Sequence, residues 1–175
     1  MAINLQPNLE NELVLLRPLK SLDFEALYEV ASDPEIWKLH QNPDRYKKEI
    51  FTVFFDGAMA SKAAFGIIDK KTNTIIGSSR FRLHNTSDEA VEIGWTFLSK
   101  AYWGGTYNTS FKNLMIQHAF QYFRHVLFHV DHKNYRSQRA VQKLGSVLVD
   151  KQGVLKHLST TKETGITFML DREIF

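Results

Sequence analysis

Glu92 stands in the middle of "AVEIGWTFL" (residues 90–98), where strand alternation places Val91, Ile93, Trp95 and Phe97 on one side and Glu92, Gly94 and Thr96 on the other. A carboxylate inside an interior strand needs a partner. Arg80 and Arg82 in the preceding apolar run offer a structural ion pair, and a general base is the rival role. A few residues on, "YWGGTYNT" (102–109) sets two glycines ahead of "SFKNLMIQHAFQYF", which has the spacing of an amphipathic helix. Glycines at such a junction let backbone N–H groups approach an anion, and the helix N-terminus adds partial positive charge. Gly104, Gly105, Thr106, Tyr107, Asn108 and Thr109 then form a phosphate cradle; the alternative is an ordinary turn with Asn108 or Thr109 as N-cap. The stretch is neither a Walker loop nor a dinucleotide fingerprint, since Lys-Ser/Thr and G-x-G-x-x-G are both missing.

In "NYRSQRAVQKLG" (134–145), Ser137, Ala140, Val141 and Leu144 follow i, i+3, i+4, i+7 and form the stripe that faces a sheet. Ser137 is its one polar member, and its hydroxyl either bonds back to a carbonyl one turn earlier or serves something bound between helix and sheet. Arg136, Arg139 and Lys143 fall on a different face, either solvated or within reach of a phosphate. His118, His125, His129 and His132 invite a metal reading. His125 and His129 share a strand face but lie about 13 Å apart at ~3.3 Å per residue, too far for one ion, so no metal is expected. There are no cysteines, which removes disulfides and a thiolate nucleophile.

The elements that must position these residues are legible in order. "LVLLRPL" (13–19) is strand-like, and "SLDFEALYEVASDPEIW" follows at helical spacing with Ser21 and Asp23 as N-cap candidates. "RYKKEIFTVFFDGAMAS" reads as a second helix. "AAFGIID", "TIIGSSRFRLH" and "AVEIGWTFL" are three hairpin-linked strands around the turns "KKTN" and "NTSDE". The Asn108 helix, the strand "HVLFHV" (125–130), the Asn134 helix ended by Gly145, and the strands "SVLVDKQ" and "TGITFML" complete the chain. The strand–helix–strand from "VEIGWTFL" to "HVLFHV" calls for a right-handed crossover and a parallel pair, hence a mixed sheet with helices on both faces.

At 175 residues with 43% apolar content, a single domain over residues 1–175 with one buried core is expected. The start "MAINLQPNLE" lacks signal-peptide regions and no apolar run approaches a membrane span, so a soluble cytoplasmic protein without a membrane partner is expected. The net charge of +3 is spread without a basic block, which argues against a nucleic-acid partner even though "WTF", "YWGGTY" and "FQYFRH" offer aromatics for stacking.

Taken in order, "LVLLRPLKSLDFEALYEVASDPEIW", "IIGSSRF", "VEIGWTFL", "YWGGTYNTSFKNLMIQHAF" and "VDHKNYRSQRAVQKLGS" resemble the GNAT superfamily of acetyl-CoA-dependent N-acetyltransferases, from about Leu13 to the C-terminus. Within it the chain is similar to the branch of Rim-type ribosomal-protein N-terminal acetyltransferases. The resemblance implies an α+β fold with a twisted, mostly antiparallel sheet of about six to seven strands and a splayed parallel pair. Acetyl-CoA would enter that splay, its pantetheine against backbone near Thr96, Phe97 and Leu98 and its pyrophosphate on the loop from Trp103 to Thr109. Asn134 would contact the pantetheine arm and cap its helix, with Ser137 and Lys143 nearby on the cofactor side. The family loop is commonly Gln/Arg-x-x-Gly-x-Gly/Ala, and here Trp103, Thr106 and Asn108 occupy the first, fourth and sixth places. Many members place a Tyr acid seven residues after the Asn, where this chain has Val141.

The resemblance implies direct acetyl transfer to a primary amine, a peptide N-terminus or a small molecule, in a ternary complex. Glu92 would act as base, a backbone N–H near Phe97 would hold the oxyanion, and Ser137 or its water would protonate the thiolate. Trp37, His40 and Arg80 are candidates for the acceptor pocket. The alternative is a catalytically inactive acyl-CoA-binding or regulatory domain of the same fold. A homodimer is left open as the assembly.

Overall fold

The computed structural model describes residues 3–83, 89–149 and 165–175, and in them the apolar runs become an eight-stranded sheet. In chain order the strands are β1 (Leu9–Glu10), β2 (Val14–Pro18), β3 (Ala64–Asp69), β4 (Thr74–Leu83), β5 (Ala90–Leu98), β6 (His125–Asp131), β7 (Val147–Leu148) and β8 (Gly165–Asp171). Their spatial order is β1-β2-β3-β4-β5-β6-β8-β7, and only β5 and β6 run parallel. The count exceeds six to seven because two-residue strands, β1 and β7, line the two edges. "SVLVDKQ" contributes only Val147–Leu148; its last part lies outside the described residues.

Among the described residues five α-helices join them: α1 (Phe24–Ala31), α2 (Pro34–Trp37), α3 (Lys48–Ser61), α4 (Tyr107–Ala119) and α5 (Tyr135–Gln142). The cap of α2 is Asp33, whose side chain accepts from the Glu35 N–H at 2.9 Å, with Pro34 at the first helical position. Asp23 holds the cap position of α1 without a side-chain bond to it, and Ser21 does not cap it. Asp23 instead accepts from both terminal nitrogens of Arg17, at 2.7 and 2.8 Å, and from the Lys20 N–H, because a buried carboxylate gains more from a guanidinium than from a helix end. Asn108 and Thr109 are likewise not caps, since α4 begins at Tyr107 and Thr106 holds the cap position without a side-chain bond. Asn134 does cap α5, its Oδ1 accepting from the Ser137 N–H at 3.1 Å, and Gly145 leaves that segment at φ +90°.

The helices divide over the sheet. α4 covers one face, where Phe111, Met115 and Ile116 bury against Val91, Ile93, Phe65 and Ile67. On the other face α1 to α3 bring Leu27, Trp37, Phe51 and Phe55 onto Ala64 and Phe97.

Phe97 therefore faces away from Val91 and Ile93, which corrects the simple alternation read from the sequence. The cause is a bulge: the β4–β5 register passes from Arg80↔Gly94 to Ser78↔Phe97, and Trp95 adopts φ +52°. One extra residue reverses every side chain beyond it. The bulge sits beside the point where the sheet opens. β5 pairs with β6 only at Ala90↔His125, Val91↔Val126 and Glu92↔Leu127, after which the two strands separate.

Candidate active site

A cavity of about 600 Å³ fills that opening. Thr96, Phe97 and Leu98 of β5 form one wall and Phe128, His129 and Val130 of β6 the other, with Trp103, Gly104 and Asn108 at one end and Asn134 and Ser137 at the start of α5. The sequence-derived cofactor residues thus converge, with exceptions. Gly105 and Thr106 are exposed on the loop, Tyr107 and Thr109 begin α4, and exposed Lys143 closes α5; none of these lines the cavity.

Gly104 at φ +72° turns the loop, and no heavy atom lies within 4 Å of where a Cβ would stand at Gly104 or Gly105. The loop is anchored on both sides. Trp103 donates its indole N–H to the Leu98 carbonyl at 2.9 Å, fastening the loop to the end of β5. Tyr102 and Tyr107 donate their hydroxyls to Asp69 at 3.1 and 3.0 Å. Asp69 also accepts from Thr72 Oγ1 at 2.8 Å and from the Lys71 N–H at 3.1 Å, and it is 1% exposed. Burial pushes its carboxyl up, yet these four donors outweigh burial and hold it below the ordinary carboxylate range.

A group with a lowered folded value contributes stability above its unfolded value and loses it as pH falls through the folded one. Asp69→Ala is expected to cost about 2 kcal/mol in urea unfolding at pH 7, less in strong acid, and to release the loop from β3. Equal stability of parent and variant at pH 7 would remove Asp69 as the anchor.

Lys112 was missed by the sequence reasoning, although its spacing with Met115, Ile116 and Ala119 places a lysine on an apolar stripe. It is 4% exposed and reaches from α4 to the bulge, donating to Thr96 Oγ1 at 2.6 Å and Ser79 Oγ at 3.4 Å, and it lines the cavity. Loss of hydration lowers its ammonium to about 7, against a smaller opposing pull from Glu92.

Glu92 lies on the opposite face from Lys112's helix, 4% exposed, with its Oε2 3.9 Å from Arg82 Nη1 and 4.0 Å from His129 Nε2. The expected arginine partner is therefore Arg82. Arg80 instead stacks on Trp95, 3.8 Å from guanidinium carbon to ring centroid, and does not line the cavity. Nor does Trp37, which is 1% exposed and donates its N–H to the Ala31 carbonyl at 2.7 Å inside the helical layer; it is a core residue and not a pocket wall. His40 does line the cavity, and desolvation, then Arg45 and Arg136, lower it to about 4, so it is neutral at pH 7. Arg136, expected on a separate face, turns into the cavity and stacks on Trp103 at 3.7 Å while donating to the Ile36 carbonyl at 3.1 Å.

Among the described residues no group of three or more His, Cys, Asp or Glu could hold a metal ion, and no helix is long and apolar enough to cross a membrane.

A sheet that opens after one parallel pair, with a glycine loop and a helix start at the opening, offers a cleft for an extended ligand. The GNAT acetyltransferase domain family matches residues 14–147, and the chain belongs to it; the protein is an acetyltransferase. Acetyltransferases of this family use acetyl-CoA. Among solved structures, a GCN5-related N-acetyltransferase from Brucella melitensis superposes with TM-score 0.78 at 18% identity, covering 95% of this chain and 79% of that one. A Vibrio cholerae protein assigned as a ribosomal-protein-serine acetyltransferase gives TM-score 0.75 at 16% identity, covering 97% and 99%. The microcin C7 self-immunity acetyltransferase MccE, in complex with acetyl-CoA and AMP, gives 0.73 at 17%, covering 96% and 98%. At these identities the likeness concerns the fold. No curated protein gives a significant sequence match.

Proposed function

We propose that the protein transfers the acetyl group of acetyl-CoA to a primary amine by direct attack in a ternary complex, as in the Rim-type branch. The observation that carries this reading is the opening between β5 and β6, flanked by the loop from Trp103 to Thr109 and the start of α4. Pantetheine lies along Thr96, Phe97 and Leu98, with Asn134 and Ser137 facing it, and the pyrophosphate rests on the loop.

The amine arrives as an ammonium ion, and Glu92, directly or through water, takes its proton. The nitrogen attacks the thioester carbonyl, a backbone N–H near Phe97 at the interrupted ladder steadies the oxyanion, and the carbon–sulfur bond breaks. The departing thiolate takes a proton. Ser137 lines the cavity but a hydroxyl is a poor acid, whereas Lys112 presents an ammonium that gives up its proton near neutrality. Lys112 is the donor in this scheme, and Ser137 positions the sulfur.

Acetyl-CoA at one hundred times its dissociation constant is expected to stabilise the fold by about 2.7 kcal/mol. Thermal unfolding with and without it, together with calorimetry, reads this directly. A melting curve unmoved by millimolar acetyl-CoA, with no heat of binding, would overturn the reading.

A further inference from the structure

The cavity wall carries an uneven distribution of charge. It holds Glu92 beside Arg82, and it also holds Arg45 and Arg136, whose charges both act on His40. Arg45 lies over Trp37 at 5.5 Å and Phe54 at 4.8 Å. Arg80, whose charge is disfavoured by burial and then by Arg45 and Arg82 and favoured by Glu92, lies flat on Trp95, a residue of the cavity wall. Among the described residues none of Arg45, Arg80 and Arg136 has a carboxylate within ion-pair distance, and the Arg80 Nε is buried without a hydrogen-bond acceptor. Asp131, the other acid in the wall, accepts from the Lys133 N–H at 2.8 Å.

Like charges repel, and gathering guanidinium groups at half-buried positions costs energy unless an anion joins them. Flat stacking on aromatic rings leaves the fork edges of a guanidinium free, and that edge matches a carboxylate or phosphate with two parallel bonds. Trp95, under Arg80, stands at the bulge with φ +52°, a conformation rare for a bulky residue and clustered at functional sites.

We infer that the acetyl acceptor is a dipolar amine: its nitrogen approaches Glu92 at the opening of the sheet, and an oxyanion, carboxylate or phosphate, several bonds away is bound by Arg45 in the cavity wall, with the charge of Arg80 behind Trp95 drawing it in. This rests on reading the cavity as the site of amine acetylation. It narrows the acceptor to molecules such as free amino acids, peptides with an acidic residue near the amino end, or aminoalkyl phosphates, and disfavours polyamines and aminoglycoside-like amines.

The test compares acceptors that differ only in the anion: an amino acid against its amide, and an aminoalkyl phosphate against the corresponding amino alcohol. The charged member is expected to show kcat/KM about tenfold to a hundredfold higher, mainly through KM, and the arm with the larger ratio tells carboxylate from phosphate. Arg45→Met combined with Arg80→Met should erase that ratio and leave acetyl-CoA affinity in calorimetry unchanged. Neutral acceptors used as well as charged ones, or a ratio that survives the double substitution, would overturn the inference.

If acetyl-CoA binds and none of these amines is acetylated, the transfer reading fails, and tryptophan fluorescence then decides this one separately. Saturable quenching by inorganic phosphate or acetate that is lost in Arg45→Met supports an oxyanion site, and no quenching by either overturns it.

Discussion

Lys112→Met is expected to unfold at a higher denaturant concentration than the parent protein while transferring acetyl groups at least about tenfold more slowly. The two effects have one cause. Holding the Lys112 proton off until about pH 7, where a solvated lysine keeps it to 10.5, corresponds to roughly 4 to 5 kcal/mol of lost ammonium hydration. The bonds to Thr96 and Ser79, each worth about 1 kcal/mol, and the Phe111 and Phe128 rings about 5.5 Å away return part of it, so a net gain of about 3 kcal/mol is expected for the thioether. The Thr96 and Ser79 hydroxyls already bond to each other at 2.8 Å and keep that bond once the lysine is gone.

The sign with pH follows from proton counting. Between about pH 7 and 10.5 the unfolded chain binds the Lys112 proton and the folded one does not, so parent stability rises with pH across that window and is lowest, and flat in this respect, below it. The advantage of Lys112→Met should be greatest at and below pH 7 and vanish near pH 10. Urea unfolding at several pH values measures this; a variant less stable than the parent at pH 7 would mean that the lysine is a net structural support. A steady-state rate equal to the parent's would remove Lys112 from proton delivery.

Gly77→Ala is expected to do the reverse, lowering stability and emptying the site. A Cβ at position 77 would overlap the Phe97 carbonyl oxygen and come within 3.0 Å of the Leu98 Cα, and both are backbone atoms of the strand that forms the cavity wall. Neither can rotate aside, so β4 and β5 must part where the register resumes after the bulge. A cost of about 3 kcal/mol corresponds to a fall in Tm of roughly 6 to 12 °C for a chain of this size. Acetyl-CoA affinity should fall with it, because Leu98 also holds Trp103. A variant that melts with the parent and binds acetyl-CoA equally well would show that the two strands yield more easily than their packing indicates.

Both positions show where sequence reasoning reaches and where it stops. The element order was legible because hydrophobic period and turn residues are local, and the five motifs kept the order of the family. The cap of α5 came from the family resemblance, and the bond is local: Asn134 and the Ser137 N–H are three residues apart. The bulge was not legible, since inserting one residue into a strand leaves the apolar pattern "VEIGWTFL" looking like unbroken alternation. Asp69 was hidden because its tyrosine partners lie 33 and 38 residues away, and an aspartate before "KKTN" already has a local explanation as a turn residue. Lys112 was visible as a charge on an apolar stripe, but a lysine there reads equally well as one that snorkels to solvent. The arginines divided by geometry that no spacing encodes: Arg82 went to Glu92, Arg80 to Trp95, and Arg136 to Trp103.

The short parallel junction has a mechanical meaning as well. Three residue pairs join a five-stranded half, β1 to β5, to a three-stranded half, β6, β8 and β7, so the sheet has a seam where its ladder is briefest apart from those of the two edge strands. A ligand seated in the opening touches both halves at once, and its binding energy becomes cohesion across that seam. Substrate is then a temporary structural member, a keystone set and withdrawn with each turnover, and the amides of β5 and β6 beyond Glu92 and Leu127 are the place where hydrogen exchange should register its arrival first.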